Sequence, residues 1–172
     1  MKPKNKYFLI GAAIILLVMS STSAYAGLYA FLKQYEEGNQ AALNAYNDGF
    51  GTWTIGWGSI YNYDQNRPVM PGDQIDQATA DRWLILEAKQ KMDQVKKLVT
   101  VTINNNQLIA LASFAYNEGI SALATSTLLK MFNNGTDKAI VAQQFDRWVY
   151  ANGSVSKGLQ NRRNAEKNLF LS

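Results

Sequence analysis

Apolar side chains recur along this chain with two different periods. Leu28, Phe31, Leu32 and Tyr35 fall at i, i+3, i+4 and i+7, the spacing of one helical face, and Gly38 supplies a stop. From Ala45 to about Tyr63 the pattern changes to Tyr, Trp, Thr and Ile interrupted by Gly49, Gly51, Gly56 and Gly58, with Asn47-Asp48-Gly49 as a turn signal. A small twisted hairpin or three-stranded sheet is predicted there. Beyond Pro68 and Pro71, Asp76 is set to cap a helix carrying Ala80, Trp83, Leu84, Met92, Val95 and Leu98. Residues 104–117, "NNNQLIALASFAYN", open on asparagine caps and run apolar nearly all round, as a buried central helix does. Ser126 or Thr127 then caps "TLLKMFNN", Gly135 ends it, Thr136 caps "DKAIVAQQFDRWVY", and a last helix runs from about Gly158 to Phe170. With no internal repeat, the expectation is one α+β domain: a helix, a small sheet lobe, then a larger helical lobe.

The N-terminus is an address before it is structure. Lys2, Lys4 and Lys6 precede an apolar run from Tyr7 to Met19, and Ala24 and Ala26 offer a small-x-small cleavage site before Gly27. No charged residue lies between Lys6 and Lys33, so the same stretch is also long enough to span a bilayer. Residues 1–26 are therefore a cleaved signal peptide or a retained membrane segment, and 27–172 the working domain. Either way the chain is exported, to the periplasm or beyond, and a retained segment would tether it to the bacterial inner membrane.

Composition removes whole classes of chemistry. There is no histidine and no cysteine, which excludes serine–histidine and cysteine–histidine hydrolases and zinc sites built from those ligands. No cofactor or metal is called for, and a monomer is expected. The net charge of +4 owes most of its excess to the three leading lysines, leaving little electrostatic basis for nucleic-acid binding.

Carboxylates, hydroxyls and aromatics remain, and they suit glycoside hydrolysis. That reaction needs one carboxyl kept protonated and a second group that stabilises an oxocarbenium-like transition state or orients water. Glu36 or Glu37 at the first helix's end faces Asp48 and Thr54 from the hairpin, and Trp53, Trp57 and Tyr61 are candidates for stacking on sugar faces. Plainer roles also fit: Glu36 and Glu37 as solvated helix-end residues, Asp48 as a turn residue, Thr54 as a strand former, the tryptophans as core.

The run "LNAYNDGFGTWTIGWG" resembles the signature of the phage-type lysozymes, muramidases that serve as endolysins of tailed bacteriophages: aspartate, five residues, threonine, then Ile-Gly-aromatic-Gly. "LASFAYNEG", "STLLKMFNNG", "FDRWVYANG" and "KGLQNRRNAEKNLFL" are similar to later landmarks of that family in the same order, so the resemblance covers about residues 27 to 171. It implies a lysozyme-like fold and a peptidoglycan substrate cut between N-acetylmuramic acid and N-acetylglucosamine, with inversion at the anomeric carbon. The implied roles are Glu36 or Glu37 as general acid, Asp48 stabilising positive charge and holding water, and Thr54 positioning that water. The N-terminal span resembles that of the signal-arrest-release endolysins. Two departures stand out. The family spacing would put its glutamate at Asn39, which implies an insertion between helix and hairpin; at about 100° per residue Glu36 sits at the edge of the apolar stripe and Glu37 points away, favouring Glu36. Ser59 stands where many relatives have a histidine. Arg147 is expected to hold the acid or the glycan or to pin two helices, Arg162–Arg163 to form a solvated or capping face, and Phe114, Tyr116 and Trp148 to be core. A lytic transglycosylase and a non-catalytic wall-binding module are the competing readings.

Overall fold

The computed structural model describes residues 23–35, 40–49 and 51–172. Helix α1 covers residues 23–35, and its predicted stripe is real: Leu28 and Leu32 are fully buried, while Phe31 and Tyr35 stack with ring centroids 5.0 Å apart. Burial reaches further back, to Ala24, which is 1% exposed. Lys33 closes the helix against the rest of the protein, 3.2 Å from Asp81 and 4.6 Å over the Trp57 ring. Gly38 lies outside the described residues.

The sheet region is two antiparallel ribbons rather than a three-stranded sheet. Strands β1 (Ala42–Asn47) and β2 (Trp53–Gly56) pair first, then β3 (Tyr61–Asn62) and β4 (Arg67–Pro68), with an isolated bridge from Ile55 to Ser59 joining the two. A small core of Ile55, Val69 and Trp83 holds them to helix α2 (Gln77–Leu98). Asp76 caps α2 by accepting from the Thr79 amide at 2.7 Å, as its side chain and position predict.

Helix α3 (Asn105–Glu118) runs through the main core, with Leu108 to Ala115 all buried. Its cap is Asn104, in a reciprocal box with Gln107. Helices α4 (Ile120–Thr125) and α5 (Thr127–Asn133) follow, the latter capped by Ser126. The long helix expected from Thr136 is not formed. Asp137, not Thr136, is the cap; α6 (Lys138–Ala142) lasts five residues before tightening into a 3-10 turn over Gln143–Arg147. A ribbon of β5 (Tyr150–Ala151) and β6 (Ser154–Val155) then turns on Asn152 and Gly153, both with positive φ, a turn that favours Asn-Gly. Helix α7 (Lys157–Leu171), capped by Ser156, packs along α3.

On α7 the charge pattern departs from expectation. Arg162 is 4% exposed, and Arg163 and Glu166 are 0% exposed, so the arginine pair is not a solvated face. Glu166 Oε1 accepts from Ser113 at 2.7 Å, Arg163 at 3.1 Å and Arg162 at 3.3 Å, which is how three buried polar side chains avoid an unpaired charge.

Candidate active site

The β1–β2 hairpin carries two of the sequence-predicted residues at one end. Asn47 Oδ1 accepts from the amides of Gly49 at 2.9 Å and Gly51 at 3.3 Å, two glycines whose φ of 85° and 92° the turn requires. Asp48 follows, exposed, its amide donating to the Thr52 carbonyl at 3.0 Å and its Oδ1 accepting from the Thr52 amide at 3.0 Å. The turn therefore holds Asp48 by backbone as well as side chain. Thr54, opposite Tyr46 in the register, is 6% exposed. Glu36 and Glu37 lie outside the described residues.

Strand β1 is bulged. Between the Ala42–Gly56 and Tyr46–Thr54 rungs, Leu43, Asn44 and Ala45 face the single residue Ile55. Backbone groups of the bulge are satisfied from the other side, Ala45 donating to the Asp73 carbonyl at 2.8 Å and Ile75 donating to the Leu43 carbonyl at 3.0 Å, and the Gln74 side chain donates to the Asn44 side chain at 2.9 Å.

From β2 the chain runs into a groove of about 460 Å³ between the sheet lobe and the helices, lined by Gly58, Ile60, Tyr61 and Tyr63, by Glu87 on α2, and by residues 116–119 at the end of α3. Glu87 is a site residue the sequence reading missed. Its Oε1 lies 2.6 Å from the Ser59 hydroxyl and its Oε2 2.9 Å from the Tyr116 hydroxyl, so one carboxyl ties β lobe, α2 and α3 together. Burial pushes the Glu87 carboxyl above its ordinary range against those hydrogen bonds, and burial beside Glu87 likewise raises the Tyr63 phenol. The available signal was an acid three residues after Leu84 and one before Ala88, on the buried stripe of α2. Ser59, at the position where many relatives have a histidine, is 4% exposed, and its hydroxyl also lies 2.9 Å from the Tyr61 carbonyl.

The remaining candidates separate. Tyr61 lines the groove, half-buried, its hydroxyl donating to Asn66 at 2.8 Å. Trp57 does not present its ring as a sugar platform: it is 3% exposed within the main core, donates Nε1 to Asp81 at 2.8 Å and carries Lys33 on its face. Arg147 is exposed beside a second depression of about 330 Å³ with Thr127, Gln144 and Trp148, apart from the groove linings. Phe114 is buried, Trp148 meets it edge-on at 5.1 Å, and Tyr116 packs half-buried between core and groove. Among the described residues no cluster of three or more acids is placed to hold a metal ion.

A two-lobed α+β molecule with an interlobe groove has known counterparts. The phage lysozyme family model matches residues 34–166. The chain is 38% identical over 120 residues to an endolysin of Bacillus phage B103, covering 70% of this chain but 43% of that protein, so it spans less than half of that relative. It is 31% identical over 156 residues to a SAR-endolysin of Escherichia phage N15, covering 88% of this chain and 84% of the relative. Its fold superimposes on an endolysin from Escherichia coli O157:H7 phage FAHEc1 with a TM-score of 0.73 at 32% identity, covering 84% and 90% of the two chains. The fold is lysozyme-like, and the chain belongs to the phage lysozyme family.

Proposed function

We propose that this protein is an endolysin that hydrolyses the β-1,4 bond between N-acetylmuramic acid and N-acetylglucosamine in peptidoglycan, for host-cell lysis. The observation that carries this reading is the Asp48 turn with Thr54 on the adjoining strand, in a member of the phage lysozyme family. Glu36, which follows α1 in the sequence, is the general acid, with Glu37 as the alternative. Asp48 stabilises the developing cation and, with Thr54, holds the attacking water; a positioned water, rather than a covalent carboxylate, gives inversion. Tyr61 and the interlobe groove receive the glycan.

The test is reducing-end release from purified peptidoglycan, with products identified by mass spectrometry. Glu36→Gln is expected to lower the rate by roughly 10²- to 10⁴-fold, the usual contribution of a general acid, while Glu37→Gln retains most activity. Anhydro-muramic ends in place of reducing ends would make the enzyme a lytic transglycosylase, and binding without any cleavage would make it a wall-binding module.

The N-terminal stretch is best read as a retained span that leaves the membrane, rather than a cleaved leader. Ala24 is in the main core and the Tyr25 hydroxyl donates to Asp93 at 2.7 Å, so cutting before Gly27 would strip packed residues from the fold. Among the described residues no helix is long and apolar enough to cross a membrane. The relative from phage N15 carries the name SAR-endolysin. The mass of the exported protein decides: an intact N-terminus supports release, and a start at Gly27 supports cleavage.

A further inference from the structure

Arg163 lies behind the groove, and it points at two residues that line it. The guanidinium is 0% exposed and stacks over Phe114 at 4.9 Å. Its Nε is 2.8 Å from Glu166 Oε2, without the angle of a hydrogen bond, and its Nη2 donates to Glu166 Oε1 at 3.1 Å. Held from behind in this way, it extends its fork to the end of α3. Nη2 donates to Asn117 Oδ1 at 2.9 Å and Nη1 donates to Glu118 Oε1 at 2.9 Å. Asn117 is exposed and lines the groove.

A guanidinium can only donate, so the carboxamide atom facing it must be oxygen. The orientation of Asn117, which is free to flip in most settings, is therefore fixed by chemistry. Its Nδ2 is left on the other side of Cγ, with no intramolecular partner among the described residues. We propose that Arg163 is a positioning residue that locks Asn117 with its amide nitrogen toward the groove, as a donor that recognises an acetamido carbonyl oxygen of the glycan. Sugar hydroxyls both donate and accept and would pair with either end of the carboxamide. An amide carbonyl only accepts, so a locked donor selects it. This rests on the peptidoglycan reading above and adds to it the group recognised and the residue that sets the recognition.

The test inverts one atom. Asn117→Asp keeps the size and the Arg163 contact but turns an oxygen acceptor toward the groove, whereas Asn117→Ala removes the group. With soluble uncrosslinked glycan strands as substrate and reducing-end release as the readout, Asn117→Ala is expected to raise KM about 3- to 10-fold, the loss of one hydrogen bond. Asn117→Asp is expected to raise it further, by more than about tenfold, since acceptor then faces acceptor. Both should leave kcat within about threefold and the melting temperature nearly unchanged. Arg163→Lys keeps the charge but loses the fork; it should raise KM as Asn117→Ala does, and the double variant should rise no further. A KM for Asn117→Asp no higher than for Asn117→Ala overturns the donor, and additive KM effects overturn the positioning role. Failure of the wild type to release reducing ends would instead sink the hydrolase reading, and the two failures are read in separate samples.

Discussion

Glu166 offers the most decisive test of the energetics of the helical lobe. It is fully buried between Arg162 and Arg163, with Ser113 donating to it from α3 at 2.7 Å. Replacing it by glutamine keeps the volume and removes the charge from between two guanidiniums at 4% and 0% exposure, and among the described acids Glu118, at 22%, stays paired with Arg163. Breaking a buried ion pair from one side costs about 3–5 kcal/mol, because the surviving charge is stranded in a low-dielectric interior. Measured against a total stability of roughly 5–15 kcal/mol, that is about a fifth or more of the whole.

Urea unfolding followed by tryptophan fluorescence reads this directly. With a slope near 2 kcal/mol per molar urea, the midpoint of Glu166→Gln should fall by about 1.5–2.5 M. The melting temperature should fall by roughly 6–20 °C. The companion variant replaces Arg163 and Glu166 together by methionine, removing one positive and one negative charge, and should cost less than the single change. A Glu166→Gln penalty under about 1 kcal/mol would refute the argument: it would mean that Glu166 carries a proton in the native state, since glutamine is then a near-neutral replacement.

Two further outcomes follow from the same structure. Glu87 is held above its ordinary carboxyl range by burial, so between the usual glutamate value of 4.5 and its raised folded value the native state binds more protons than the unfolded chain. Its contribution to stability is full below that window and is lost as pH rises through it, so the stability of the wild type relative to Glu87→Gln should fall as pH rises above about 4.5, and a difference that is flat or rising would exclude the effect. Leu32→Ala, in the uncharged N-terminal stretch yet fully buried, should cost about 2–5 kcal/mol in urea unfolding of the full chain in solution, and a penalty below about 1 kcal/mol would show that α1 is not part of the stable core.

These tests fall on residues with very different visibility in the sequence, and the reason is the distance over which each contact is made. The hairpin that carries Asp48 and Thr54 was legible because its signals are local: Asn47, Gly49 and Gly51 encode the turn, and strand pairing does the rest. Caps at Asp76, Asn104 and Ser126 were legible for the same reason, being bonds across three residues. The β5–β6 ribbon was readable in principle from Asn152-Gly153, but the apolar period through Val141, Ala142 and Phe145 imitates a continuing helix.

What stayed hidden is buried charge. Trp57 looks like a surface platform until Asp81, 24 residues on, takes its indole nitrogen. Glu87 looks like a solvated helix residue until Ser59 and Tyr116 arrive from 28 and 29 residues away. Arg162 and Arg163 look solvated until Ser113 and Asn117 meet them across 49 and 46 residues. A local pattern assigns a charged side chain to solvent because burial is costly unless a partner is supplied, and in this fold the partner comes from another element. One trace of it is local: Arg162 and Glu166 are four apart on α7, a spacing that puts both on one face, and that face is the one α3 covers. An i,i+4 ion pair on a helix that packs along the central helix is therefore a reason to look for a buried network, and here that network ends at Asn117 and Glu118 on the wall of the groove.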